Sequence, residues 1–378
     1  VSLLSLLSDL VAIPSVNPSL VPGAAGESAI ADAIGHAMRR AGLDVVVDEA
    51  LPGRPNVVGV LEGRGRGRSL MFCGHTDTVG VEGMEQPFTP VVRDGRLYGR
   101  GAQDMKGGLA AMLDAAASIA STGLRRGRLV VACVADEEYA SAGADGLVEA
   151  WTADGAIVTE PTDLAIGIAH KGFSAAQVVV RGRAAHGSRP ADGRDAIFRM
   201  GRVLSRLEAL DRALASGRRD PLVGPASVHA SVVHGGGELS SYPALCTLQF
   251  ERRTIPGEQT DASVREMRDI LAALAAEDPD FSADVSLLLA RPPYAIDAAH
   301  PLVAALGAAC TDAHVEPRCS GLSFWTDAAI LGAAGVPSAL FGPGGAGLHG
   351  AVEYVILSEV DACRDALTGL ARRWCEGG

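Results

Sequence analysis

Aromatic side chains are scarce in this chain, only 4% of 378 residues, although 48% of it is hydrophobic. A core of that composition is built from alanine, valine and leucine. Paired cysteines are missing too. The seven cysteines are scattered and none stands in a Cys-x-x-Cys pair. That pattern argues against a disulfide framework and for reduced, mostly buried thiols in a cytoplasmic protein. No apolar run is long enough to span a bilayer. The first ten residues carry no basic leader, and Asp9 interrupts their apolar run, so no secretory signal is expected. Positive charge is in deficit: 33 Lys and Arg against 45 Asp and Glu, a net charge of −12. Nucleic acid and anionic membrane are poor partners for such a surface. A small anionic substrate stays possible, because a few local arginines reverse the sign.

The length suggests roughly two domains. Leu3, Leu4, Leu7, Leu10 and Val11 recur at helical spacing, and a second helix pattern covers 28–41 with Gly42 as its C-terminal cap. Strands are expected at 44–47, 56–60, 70–73, 129–135 and 155–158, and helices at 106–120 and 144–151. This alternation predicts α/β layers around a largely parallel sheet. After Lys171-Gly172 the order becomes β-α-β-β-α-β, which fits a small two-layer α+β, ferredoxin-like domain. Pro292-Pro293 marks the return. The expected organisation is therefore a larger domain from 1–172 and 291–378, interrupted by an inserted domain over 173–290.

Chemistry concentrates at the ends of the expected strands. Leu70-Met71-Phe72-Cys73 runs into Gly74, His75 and Asp77. Residues two apart in an extended segment face the same way, so Asp77 is placed to orient the His75 ring and leave its other nitrogen for a metal. Asp104 follows in the glycine-rich stretch 99–108 and is expected to share that metal. The strand at 129–135 ends in Asp136-Glu137-Glu138, and that at 155–158 in Thr159-Glu160. Ligands of α/β sheets gather beyond the carboxyl ends of strands. Together with His349, these residues supply the oxygen and imidazole donors of a two-metal hydrolase. Glu137 and Glu138 cannot both face one ion from an extended backbone, so one is expected to bind metal while the other faces water.

Five ordered motifs carry a resemblance. His75-Thr76-Asp77, Gly99-Arg100-Gly101 through Asp104-Met105-Lys106-Gly107-Gly108, Asp136-Glu137-Glu138, Thr159-Glu160-Pro161 and Leu348-His349-Gly350 resemble the motif set of one metallopeptidase family. It contains acetylornithine deacetylase, succinyl-diaminopimelate desuccinylase, aminoacylase and glutamate carboxypeptidase, and the likeness covers nearly the whole chain. The resemblance implies two zinc ions, with cobalt as a substitute, bridged by Asp104. His75 and Glu160 would complete one site, and Glu138 and His349 the other. It further implies Glu137 as general base and acid, Asp77 as support for His75, and a cis bond after Asp104. His186, in Ala185-His186-Gly187-Ser188-Arg189-Pro190, resembles a histidine that stabilises the tetrahedral intermediate, often across a dimer. Arg253 resembles the arginine that holds a substrate carboxylate, a task for which a guanidinium fork is well shaped. Arg252 and Arg253 would otherwise form a solvated strand edge. The inserted domain becomes a lid and dimerisation domain by the same resemblance.

One departure stands out: Ser240 precedes Pro243 where many relatives carry Asn. Gly342-Pro343-Gly344-Gly345 lacks the Lys-Ser/Thr ending of a phosphate loop. His170, His229, His234, His300 and His314 have no motif support and are read as structural. The expected protein is a di-zinc amidohydrolase acting on an N-acyl amino acid or short peptide. A dipeptidase or carboxypeptidase using the same centre is the alternative, and a non-catalytic metal-binding homologue the more distant one.

Overall fold

The computed structural model describes residues 2–377, which form two compact units. One comprises the described residues up to Ile168, Ile296–Ser320 and those from Thr326 onward, and the other Ala169–Ala295 with Gly321–Trp325. In the first unit a large sheet has the strand order Asp44–Leu51, Arg54–Glu62, Arg128–Val134, Ser69–His75, Ala156–Val158, Ser338–Leu340, Ile166–His170. The four strands from Arg128–Val134 to Ser338–Leu340 run parallel to one another. The flanking pairs are antiparallel, so the sheet is mixed with a parallel centre. Those central strands are almost entirely buried, which is why they read as continuous apolar runs and not as alternating ones.

Register brings the chemistry to one edge. His75 pairs with Val134, and Cys73 with Val158. The residues that follow Val134 and Val158 therefore emerge beside His75. The Gly107–Thr122 helix packs against this edge with ten buried residues, mainly alanine, glycine and leucine. Its close approach requires a glycine: a Cβ on Gly108 would lie 2.0 Å from the Thr159 carbonyl oxygen. The missing Cβ of Gly108 thus lets the helix backbone meet the main chain at Thr159 beneath the site.

A second, small antiparallel sheet joins Gly345–Ala346, Tyr354–Ile356, Arg96–Tyr98 and Val91–Arg93. No strand pattern in the sequence announced it. It lays the loop that carries His349 alongside the loop that leads to Asp104.

The other unit holds an antiparallel sheet in the order Ser227–Gly235, Leu245–Thr254, Gly172–Arg181, Ser282–Arg291. Helices Ala196–Ser216 and Ala262–Glu277 cover it, and Val178, Val180, Val203, Leu248, Phe250 and Met267 share their core. Ser227–Gly235 is an edge strand, exposed along most of its length. No helix among the described residues is long and apolar enough to cross a membrane.

Candidate metal centre

Two groups of ligand atoms meet at the sheet edge: His75, Asp104 and Glu160, and Asp104, Glu138 and His349. Asp104 belongs to both. Its Oδ1 lies 3.0 Å from His75 Nε2, and its Oδ2 lies 3.5 Å from His349 Nε2. Glu160 Oε1 stands 3.8 Å from His75 Nε2, and Glu138 Oε2 stands 3.2 Å from His349 Nε2. His75, Glu138 and Glu160 are nearly enclosed, whereas the His349 side chain is 56% exposed.

Electrostatics fits the donor set to divalent cations. Burial pushes Glu137 and Glu160 well above the ordinary carboxylate range, and the neighbouring carboxylates, among them Asp327, add to the rise in spite of His75. Glu138 is raised in the same direction. Burial alone would lower the His75 pKa, but Asp104, Asp77 and the surrounding carboxylates hold it well above its usual value. Hydrogen bonds to Asp104 and Glu138 raise His349 to about 10. Glu138 Oε1 is buried and has no hydrogen-bond partner. A crowd of buried carboxylates with an unsatisfied oxygen lacks positive charge, and oxygen and imidazole donors suit zinc or a similar ion. The five expected ligands therefore fit the group the motifs imply.

The support of His75 differs in detail from the expectation. Its Nδ1 lies 3.0 Å from the Asp77 main-chain oxygen, and the Asp77 carboxylate is 3.6 Å away. The main-chain carbonyl is thus the acceptor that fixes the ring, leaving Nε2 toward Asp104. The Asp77 carboxylate instead accepts from the backbone N–H groups of Glu137 and Glu138, both at 3.1 Å, and from Asn17 Nδ2 at 2.8 Å. It therefore holds the Glu-Glu pair. The Asp104–Met105 peptide bond is cis.

Behind Asp77 lies a buried polar network that sequence reading missed. Asn17 also donates to Asp136, which accepts from Arg54 at 2.7 Å, and Arg54 pairs with Glu27. Asp136 has φ +70°, a left-handed conformation uncommon for aspartate. Only the polar Arg54 and Asn56, at the start of a mostly apolar strand, could have hinted at it. Asp327 is a further buried acid facing this centre.

His186 and Arg253 belong to the second unit. His186 is exposed, and its Nδ1 accepts from the Ser188 N–H at 3.2 Å, with Ser188 Oγ at 2.8 Å. A neutral ring whose Nδ1 accepts carries its proton on Nε2. Ser240, the departure noted in the sequence, accepts from the Gly187 N–H at 2.7 Å through its carbonyl. Arg253 is partly exposed; its Nε donates to Glu251 at 2.6 Å, and its guanidinium lies over Phe173. Arg252 does not lie on a solvated edge. It is 1% exposed and bound by Glu258 and Glu266, because its side chain points into the sheet–helix layer. Burial pushes His170 down to about 4, in keeping with a structural histidine.

The sequence signature of peptidase family M20/M25/M40 matches residues 71–373. The chain belongs to that family and is a metal-dependent hydrolase. Acetylornithine deacetylase of Myxococcus xanthus is 33% identical over 344 residues, 88% of this chain and 87% of that one. Among solved structures, a tripeptidase from Staphylococcus aureus superposes with a TM-score of 0.83 at 23% identity, covering 98% of this chain and 97% of that one. A dinuclear metal-binding peptidase of the M20 family from Bacillus subtilis superposes with a TM-score of 0.77 at 16% identity, covering 99% and 98%. At such identities the two structures establish the fold alone.

Proposed function

We propose that this protein hydrolyses the amide bond of an N-acyl amino acid, using two zinc ions, with cobalt able to replace them. The observation that carries this reading is that two ligand groups share Asp104 while Glu137 belongs to neither. His75 and Glu160 would hold one ion with Asp104, and Glu138 and His349 the other. Bound metal supplies Lewis acidity toward the amide carbonyl and an acidified water. Glu137 takes the proton of that water on its carboxylate and returns it to the leaving amine. Asp77 fixes where Glu137 and Glu138 start, so the base and the ligand diverge from one anchored backbone.

His186, whose Nδ1 accepts from its own loop, donates from Nε2 to the oxygen that becomes negative during attack. Arg253 takes the substrate α-carboxylate, its terminal nitrogens making no hydrogen bond among the described residues. The second unit serves as a lid and as the dimer interface. In support, the edge strand Ser227–Gly235 exposes Val232 and Val233, and Ile197, Phe198 and Leu245 are also exposed in this unit. Unpaired edges with apolar side chains invite pairing with a second copy. Seven free cysteines, six of them buried, suit the cytoplasm. The acylated amino acid is preferred over a dipeptide because the Myxococcus relative, at 33% identity, is a deacetylase.

Chelator-stripped protein should be inactive and regain turnover with zinc or cobalt, faster on acetyl-ornithine or another N-acyl amino acid than on dipeptides. Glu137→Ala should lower kcat by about 10²–10⁴-fold, the usual range for a general base, with two ions still bound. Glu138→Ala should lose an ion as well. Activity indifferent to chelation, or equal metal loss in both variants, would refute the assignment.

A further inference from the structure

Four residues before Asp104 stands Arg100, and four residues after His349 stands Glu353. Both are 1% exposed, and Arg100 Nη1 lies 2.6 Å from Glu353 Oε2. Each reaches past its partner into the other loop's backbone. Glu353 Oε1 accepts from the N–H groups of Gln103 at 2.9 Å and Asp104 at 3.1 Å, and its Oε2 accepts from Gly101 N–H at 3.0 Å. Arg100 Nη2 donates to the carbonyl of Gly350 at 3.0 Å, and Arg100 Nε to that of Gly80. The main chains also bond directly, from Gly99 N–H to the Glu353 carbonyl.

From this reciprocal pattern we infer that Arg100 and Glu353 are positioning residues that set the distance between Asp104 and His349, and so shape the Asp104–Glu138–His349 ion site in particular. The inference rests on the two-ion reading above. Asp104 and Met105 depart from helical φ and ψ, so regular helical geometry does not by itself fix the Asp104 loop. His349 sits at φ +58° in a half-exposed loop and has no strand of its own to hold it. The other site differs. His75 ends a buried strand paired on both sides, and Glu160 follows Thr159, whose N–H donates to the Cys73 carbonyl. Sheet register places those two ligands without help from the ion pair.

The charge of Glu353 matters as well as its shape. Its carboxylate faces four donors: Arg100, Gly101, Gln103 and Asp104. A glutamine of the same size replaces one acceptor oxygen with an N–H₂ group, which would face donors. Two of the four bonds are lost, and Arg100 is left buried without its counter-charge.

The test is a titration of chelator-stripped protein with cobalt(II), followed by its visible absorption, on wild type, Glu353→Gln, Arg100→Lys and His349→Ala. Wild type should take up two ions, and His349→Ala should identify the step that survives without the second site. In Glu353→Gln that surviving step, which shares Asp104, should be weakened clearly less than the other, which should fall about 10–100-fold, the usual cost of removing a supporting partner of a metal ligand. Arg100→Lys keeps the charge but cannot bond Gly350, Gly80 and Glu353 together, so it should weaken the same step and serves if the glutamine variant does not fold. Equal weakening of both steps, or of neither, would overturn the inference. Uptake of a single ion by wild type would instead remove the two-ion reading beneath it.

Discussion

The polar groups of the first unit's centre and those of the second unit are held in opposite ways. His75, Asp77, Asp104 and Glu138 rest on backbone register and on buried partners such as Asn17 and Glu353. His186 leans on Ser188, and Arg253 on Glu251 and the Phe173 ring, at the surface. A ligand set must stand ready before its ion arrives, and that readiness is obtained by burying several polar groups that satisfy one another. Residues proposed to meet substrate must stay accessible, and local bonds within a turn or along a strand suffice to aim them.

The contrast predicts which substitutions damage the fold and which damage only the reaction. The largest effect is expected at Arg54, where Arg54→Met leaves Glu27 and Asp136 buried without their cation. Denaturant unfolding should show a loss of about 3–5 kcal/mol, the usual cost of breaking a buried ion pair from one side. A loss under about 1 kcal/mol would mean that the network is not stabilising, since that is the value of an exposed pair.

Next comes His186→Ala, which should lower kcat about 10²–10³-fold, as removal of one oxyanion donor does, without moving the unfolding midpoint. If the histidine acts across a dimer, mixing this variant with Glu137→Ala under subunit exchange should restore activity. Confirmed exchange without recovery would confine His186 to its own chain or to a structural role.

Smallest is Arg253→Lys, for which loss of one charge-assisted hydrogen bond should raise KM by roughly tenfold for substrates with a free α-carboxylate. Esterified or amidated substrates should be nearly unaffected. An equal effect on both classes would make Arg253 a partner of Glu251 and no more.

What the linear order of residues determined about this protein is the inventory. Apolar runs ending in His75, Glu137-Glu138 and Glu160 marked the central strands and put polar residues at their carboxyl ends. The glycine-rich stretch 99–108 singled out Asp104. These signals are local, because period and punctuation survive in a few consecutive residues. The tertiary structure decided what no local pattern contains. It chose the Asp77 main-chain oxygen over its carboxylate as the partner of His75, and it turned Arg252 inward and Arg253 toward the surface. It joined Arg100 to Glu353 across 253 positions, and Glu27 to Arg54 and Asp136. A buried charge is tolerable only beside its counter-charge, and in a folded chain that partner is set by sheet register and loop closure, which bring together residues that nothing in their own neighbourhoods connects.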